Sequence, residues 1–216
     1  MSAIEKNIED VRARIDSSLK NAGRTDKVRL MAVTKYRGVD EINQAMTHGI
    51  DCIGENRVGE AEGKFPLLKG QVEKHMIGHL QTNKVKRALE IFDVIHSVDS
   101  YKLAREIDKR GCNIDKIIPI LFEVNISGEE VKYGIGPDEA HDFYNRLMEL
   151  SHLKVIGMMA MAPHVEPENT RPFFRKMKEL NDSLKLRYIS MGMTNDFQIA
   201  VEEGSNLVRI GTGLFG

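Results

Sequence analysis

Eight short apolar runs, parted by longer charged segments with helical spacing, constrain this chain of 216 residues more than any other feature. "VRLMAVTK" ends at Lys35 and "DCIGE" at Glu55; "KHMIGHL" follows. "VIHSVD" ends at Asp99, "KIIPILFEVN" at Asn125, "VIGMMAM" at Met161, "RYISMGM" at Met193 and "NLVRIG" at Gly211. Runs this short and this apolar read as buried strands. Seven helical segments lie between them, among them Val39 to His48, Asn83 to Ile91, Tyr101 to Arg110, Pro137 to Leu150, Arg171 to Leu184 and Asn195 to Glu203. The segment around Gly59 to Phe65 is the weakest, because glycine lowers helix propensity. Asp40 and Pro137 are expected helix starters, and Gly49 and Gly204 expected stops.

Alternating strands and helices predict a parallel sheet, and eight strands predict a (β/α)8 TIM barrel. An open doubly wound sheet is the less attractive alternative, since the eight strands come without a clear Gly-rich GxGxxG turn. Residues 1–216 are expected to form one domain. Only "TGLFG" follows the last run, too little for an eighth following helix. The segment Ile4 to Ala22 carries Ile4, Ile8, Val11 and Ile15 at helical spacing. It is expected to supply the eighth outer helix.

Charge narrows the function classes. A formal net charge of -1 leaves no electrostatic footprint for nucleic acid or an anionic membrane. The N-terminus is charged throughout, unlike a signal peptide or a membrane span, so a cytoplasmic location is expected. Cys52 and Cys112 lie far apart without a CxxC pattern and read as two reduced thiols, Cys52 buried in a strand.

In a barrel the chemistry sits at the C-terminal ends of the strands. Strand one ends there in Lys35. Alternation puts Met31, Val33 and Lys35 on one face and Ala32 and Thr34 on the other. An inward Lys35 at an apolar mouth would be desolvated, and an uncharged amine is a nucleophile for an aldehyde. The plain alternative is a lysine paired with Glu55 or reaching water. The last two loops contain "MTND" and "IGTG". They offer the Thr194 and Thr212 hydroxyls and unhindered N–H groups at Gly211 and Thr212, as a phosphate site needs. Thr194 or Asn195 could instead merely cap a helix. A lysine across the mouth from a phosphate site fits pyridoxal 5′-phosphate, although a phosphorylated sugar or acid fits as well. Arg209, inside the apolar "LVRIG", either faces the mouth beside Lys35 or pairs with an outer helix.

The blocks "AVTK", "GENR", "HMIGHLQTNK", "VNISGEEVKYG", "GMMAM" and "SMGMTNDFQIAVEEGSNLVRIGTGLFG" together resemble the pyridoxal phosphate homeostasis protein family, over nearly the whole chain. The resemblance implies a single alanine racemase-like barrel without the racemase's second β-domain. It implies a cofactor covalently attached to Lys35 as a Schiff base. Thr194, Gly211 and Thr212 would hold the phosphate, Ser190 and Met191 would line the site, and Arg209 would face the pyridine nitrogen. Asn56 would lie beside the ring, with His79 on the same wall. Thr194 stands where serine is frequent, and either hydroxyl bonds a phosphate. The implied role is a cytoplasmic, monomeric carrier or buffer of pyridoxal phosphate, with apo-enzymes as its expected recipients. No nucleic-acid or membrane partner is implied. A guanidinium accepts no proton from the ring nitrogen, which weakens carbanion stabilisation, and no segment is evident for a second acid/base group. An amino-acid racemase or decarboxylase is the alternative.

Other features have plain readings. His75 and His79 fall on a strand and its end rather than one helix face, so a metal site is not expected. Met158, Met159 and Met161 read as barrel packing. "FFRKMK" reads as the solvated face of an outer helix. Lys132, in "EEVKYG" after strand five, is left unassigned.

Overall fold

The computed structural model describes residues 2–129 and 132–216. Glu130 and Val131, within the strand-five loop, lie outside the described residues. Eight parallel strands close into a barrel in sequence order. They are β1 (Arg29–Val33), β2 (Cys52–Glu55), β3 (Glu73–Met76) and β4 (Val94–Val98), then β5 (Ile118–Val124), β6 (Leu153–Ala160), β7 (Tyr188–Ser190) and β8 (Leu207–Ile210). Each expected apolar run supplies one strand, and every strand but β2, which ends with its run at Glu55, stops short of the end of its run. Lys35, Asn56, His79 and Asp99 are therefore placed on loops just past the sheet.

Alternation sorts the side chains as the period of two requires. Leu30, Ala32, Ile53, Ile95, Phe122, Met158 and Val208 join the large core between sheet and helices. Met31, Cys52 and Leu207 pack inside the barrel on one side, and Val94, Leu121 and Met159 on the other. Met158 and Met159 pack as expected, one on each face. Met161 departs from that expectation: it lies beyond β6 and is exposed.

The outer helices are α2 (Val39–Thr47), α3 (Val58–Lys64), α4 (Val85–Ile91), α5 (Tyr101–Asn113), α6 (Ala140–Leu147), α7 (Arg171–Leu184) and α8 (Phe197–Glu202). Gly49 (φ 80) and Gly204 (φ 107) take the left-handed turns expected after α2 and α8. Asp40 lies in the first turn rather than starting α2; Gly38 is the cap, and its N–H donates to Glu41 Oε2 at 2.8 Å. Helix α1 (Ala3–Asn21) buries Ile4, Ile8, Val11 and Ile15 and packs against α8 and α2, in the eighth outer place. A capping box between Ser2 and Glu5 starts it. One expectation needs correcting. "TGLF" does form a single helical turn, α9 (Thr212–Phe215), whose Leu214 carbonyl accepts from Asn7 Nδ2 of α1 at 3.0 Å.

Arg171 and Arg175, on the exposed side of α7, pair with Glu202, the last residue of α8, and Glu203 just after it. Both cysteines are free, Cys52 buried and Cys112 exposed. No helix among the described residues is long and apolar enough to cross a membrane.

Candidate functional site

Strand register sets what stands beside Lys35. Val33 pairs with Gly54 of β2, and Ala32 with Ile210 of β8. With β2 and β8 as the two neighbours of β1, the loop that carries Lys35 stands between the loop that carries Asn56 and the loop that carries Thr212 and Gly213. The β8 loop is thus adjacent to Lys35 rather than across the mouth from it. Lys35 is exposed, which corrects the expectation of a desolvated ammonium. Nor does Glu55 pair with it. Glu55 is fully buried on the helix side and pairs with Lys64 of α3. That leaves the Lys35 amine without a hydrogen bond or ion pair among the described residues. Tyr36, next in the chain, has φ 62, a backbone state costly for a residue with a Cβ.

The two C-terminal loops meet. Thr212 Oγ1 lies 3.4 Å from Thr194 Oγ1, and the Gly213 N–H donates to Thr194 Oγ1 at 3.3 Å. A Cβ on Gly213 would stand 2.9 Å from Ile210 Cγ2 and 3.1 Å from Thr194 Cγ2, so only glycine allows this approach. Thr194 does not cap α8. Asp196 takes that position, its Oδ1 accepting the Met193 N–H at 2.6 Å. The Thr212 N–H opens α9 and has no intrahelical acceptor. Two hydroxyls and the Thr212 N–H therefore converge, as an anion requires.

Arg209 points inward and is 4% exposed. Its Nη1 donates to the Ser190 carbonyl at 2.7 Å and hydroxyl at 2.6 Å, and its Nη2 to the Ala160 carbonyl at 3.0 Å. Burial lowers its pKa to about 10, against the opposing charges of Glu123 and Asp196. At neutral pH it remains a cation. Ser190 lines the interior by holding this guanidinium. Met191 is on the opposite face, fully buried in the sheet–helix core, so its side chain is turned from the mouth.

Asn56 follows β2, its N–H donating to Glu55 Oε1 at 2.7 Å. Its side-chain Oδ1 is buried with no hydrogen-bond partner among the described residues. A cavity of about 320 Å³ adjoins it, lined by Asn56, Val58, Met76, His79, Leu80 and Lys84 among others. His79 is exposed; its Nδ1 lies 3.1 Å from Asp99 Oδ2, and its ring stacks on Tyr133 at 3.9 Å between centroids. His75 sits apart from His79, inside the barrel. Its Nδ1 is 2.6 Å from His96 Nε2 and its Nε2 is 3.0 Å from Glu73 Oε2. Lys132 bonds Glu129 Oε1 at 2.6 Å and approaches the Ala162 carbonyl at 3.4 Å.

Three groups at the site escaped the sequence reading. Glu123 of β5 is 4% exposed, and burial raises its pKa to about 7, with Asp99 adding to the rise and Arg209 opposing it. A lone acid inside "ILFEV" is the signal that could have found it. Asp99 and Tyr133, the partners of His79, gave no such signal.

The chain matches the family model "Alanine racemase, N-terminal domain" over residues 1–216. It is 40% identical over 225 residues to the pyridoxal phosphate homeostasis protein of Aquifex aeolicus, covering 100% of this chain and 98% of that protein. Its fold superposes on a protein of unknown function from Bifidobacterium adolescentis with a TM-score of 0.94 at 34% identity, covering 99% and 94% of the two chains. PipY of Synechococcus elongatus, solved with pyridoxal phosphate bound, superposes at a TM-score of 0.84 and 30% identity, covering 99% and 100%. A closed eight-stranded barrel, a free lysine at the mouth and full-length likeness to these relatives agree: this chain belongs to the pyridoxal phosphate homeostasis protein family, built on the alanine racemase N-terminal domain.

Proposed function

We propose that this chain binds pyridoxal 5′-phosphate at the barrel mouth and takes part in its homeostasis, as a monomeric carrier or buffer with little or no catalysis of its own. The observation that carries this reading is the unpartnered, exposed Lys35 amine, on the loop between those that carry Asn56 and Gly213. The groups around it fit the cofactor. The orphaned Asn56 Oδ1 is a buried acceptor that the chain itself leaves unsatisfied. The meeting of Thr194, Thr212 and Gly213 provides donors for a phosphate. Arg209 has N–H groups beyond those given to Ser190 and Ala160, and as a cation it offers a ring nitrogen a donor and takes no proton from it.

Lys35 would hold the cofactor through its aldehyde. When bound, pyridoxal phosphate supplies an electron sink. Arg209, which takes no proton, would restrain that sink at the ring nitrogen, and this suits storage better than turnover. Apo-enzymes that use the cofactor are the fitting recipients.

Borohydride reduction after incubation with pyridoxal phosphate, followed by peptide mass mapping, tests this. The expected result is a pyridoxyl group on Lys35 in large excess over any other lysine, abolished in Lys35→Ala. No label, or no excess on Lys35 over other exposed lysines, overturns the reading and favours a different phosphorylated ligand. Glu123 is the observation that favours a second reading, an enzyme acting on a small amino acid, because a carboxyl with pKa about 7 can hold or release a proton at neutral pH. Turnover on an amino-acid panel, lost in both Lys35→Ala and Glu123→Gln, would establish that reading instead.

A further inference from the structure

We propose that the buried pair Lys64–Glu55, with Glu60, is a clamp that positions Lys35 at the mouth. It rests on the reading of Lys35 given above and assigns a role to residues on the helix side of the sheet, away from the ligand. Glu55 ends β2 and is fully buried. Its Oε1 accepts the Asn56 N–H at 2.7 Å, and its Oε2 lies 3.1 Å from the Thr34 hydroxyl. One carboxylate thus ties together the ends of the two strands that carry Lys35 and Asn56. The Lys64 ammonium pairs with the same carboxylate and donates to the Thr34 carbonyl at 2.7 Å. That carbonyl belongs to the peptide joining Thr34 to Lys35.

The other peptide of Lys35 is held as well. The Tyr36 N–H donates to Glu60 Oε2 at 3.4 Å, and the same oxygen lies 3.9 Å from Lys64 Nζ. Helix α3 therefore grips the chain on both sides of Lys35. This helps explain how Tyr36 keeps a left-handed backbone at φ 62 while its ring is 75% exposed: among the described residues the ring has only the Arg57 guanidinium over it, 6.0 Å from its centroid, so these peptide hydrogen bonds, with that of the Arg37 N–H to the Thr34 carbonyl at 3.0 Å, hold the turn. It also explains a charged pair in an apolar layer. Burying two charges costs enough desolvation that such a pair adds little net stability; fixing one geometry is a better account of it.

The test labels the full chain with pyridoxal phosphate, traps the product with borohydride and measures the ratio of pyridoxyl on Lys35 to that on exposed Lys27, as a function of pH. Lys27 is the internal control, since general unfolding does not spare one lysine over another. The double variant Glu55→Gln/Lys64→Met removes both charges together and leaves neither unpaired. In the folded double variant, checked by circular dichroism and melting, the Lys35:Lys27 ratio is expected to fall at least tenfold across the pH range while Lys27 labelling is unchanged. A wild-type ratio in that variant overturns the clamp. Should the double variant not fold, Glu60→Ala removes the acceptor of the Tyr36 N–H, releases only that side and must lower the ratio at least threefold; an unchanged ratio overturns the clamp equally. Failure of Lys35 to label in the wild-type chain is a separate outcome: it removes the functional reading, and the clamp with it.

Discussion

Arg209 and Glu123 show what one charged residue in an apolar strand can and cannot reveal. Each is inward and 4% exposed. In both cases burial is the largest influence on the pKa, lowering that of Arg209 to about 10 and raising that of Glu123 to about 7. Arg209 is still a cation at neutral pH, whereas Glu123 is near half-protonation. The linkage for Glu123 has a definite sign. The folded chain keeps this proton up to about pH 7, and the unfolded chain releases it near 4.5. Its contribution to stability is complete below 4.5 and is lost as pH rises through 7. Glu123→Gln cannot ionise and so escapes that loss. Chemical denaturation is expected to show the variant more stable than wild type above neutrality, by up to about 3 kcal/mol, with the two curves converging near pH 4.5. A constant difference at all pH values would mean that Glu123 does not titrate in this window. Lys35 and Arg209 were legible because alternation assigns a face. Which polar groups then meet is a three-dimensional matter: Glu55 looked like a partner for Lys35, and Lys64, from a helix thirty residues on, took it.

At the scale of elements, strands were legible and loop contacts were not. Eight apolar runs gave eight strands because burial on both faces of a parallel sheet forces continuous hydrophobicity. The eighth outer place was legible from the isoleucine spacing of α1, but the single turn of α9 was not, since four residues carry no period. The approach of the β7 and β8 loops depends on tertiary geometry alone. Gly213 is a turn residue in the sequence, yet in the fold it is the gap that lets Thr194 reach the β8 loop. Gly213→Ala adds a methyl that meets Ile210 and Thr194 at 2.9 and 3.1 Å. It should push the loops apart and weaken pyridoxal phosphate affinity at least tenfold in equilibrium titration. Melting should change little, because the exposed mouth can yield. Unchanged affinity would remove these two loops from the binding site.

For the whole molecule, the barrel axis holds a polar column that no one strand reveals. Arg29, from the start of β1, bonds Glu73; Glu73 bonds His75, and His75 bonds His96 at the centre. The pair separation of 2.6 Å requires one imidazole to donate and the other to accept. Burial is the first cause of the lowered pKa of both rings, and it acts on His96 without a compensating acid. A histidine lowered below 6.5 gives stability that is present above that value and lost as pH falls. Glu73, held at about 2 chiefly by His75, adds a loss of the same sign at lower pH. Glu123 works in the opposite direction between 4.5 and 7. In the wild-type chain these terms offset, so stability should vary little with mild acid. In Glu123→Gln the offset is gone, and the unfolding free energy should fall steeply as pH drops from about 6.5 toward 5. Adding His96→Leu to that variant replaces the most deeply buried ring by an apolar side chain and should flatten the same curve. Denaturant midpoints across this interval decide it. If the slope survives the loss of His96, the acid sensitivity belongs to some other group, and the column is packing rather than a titrating unit.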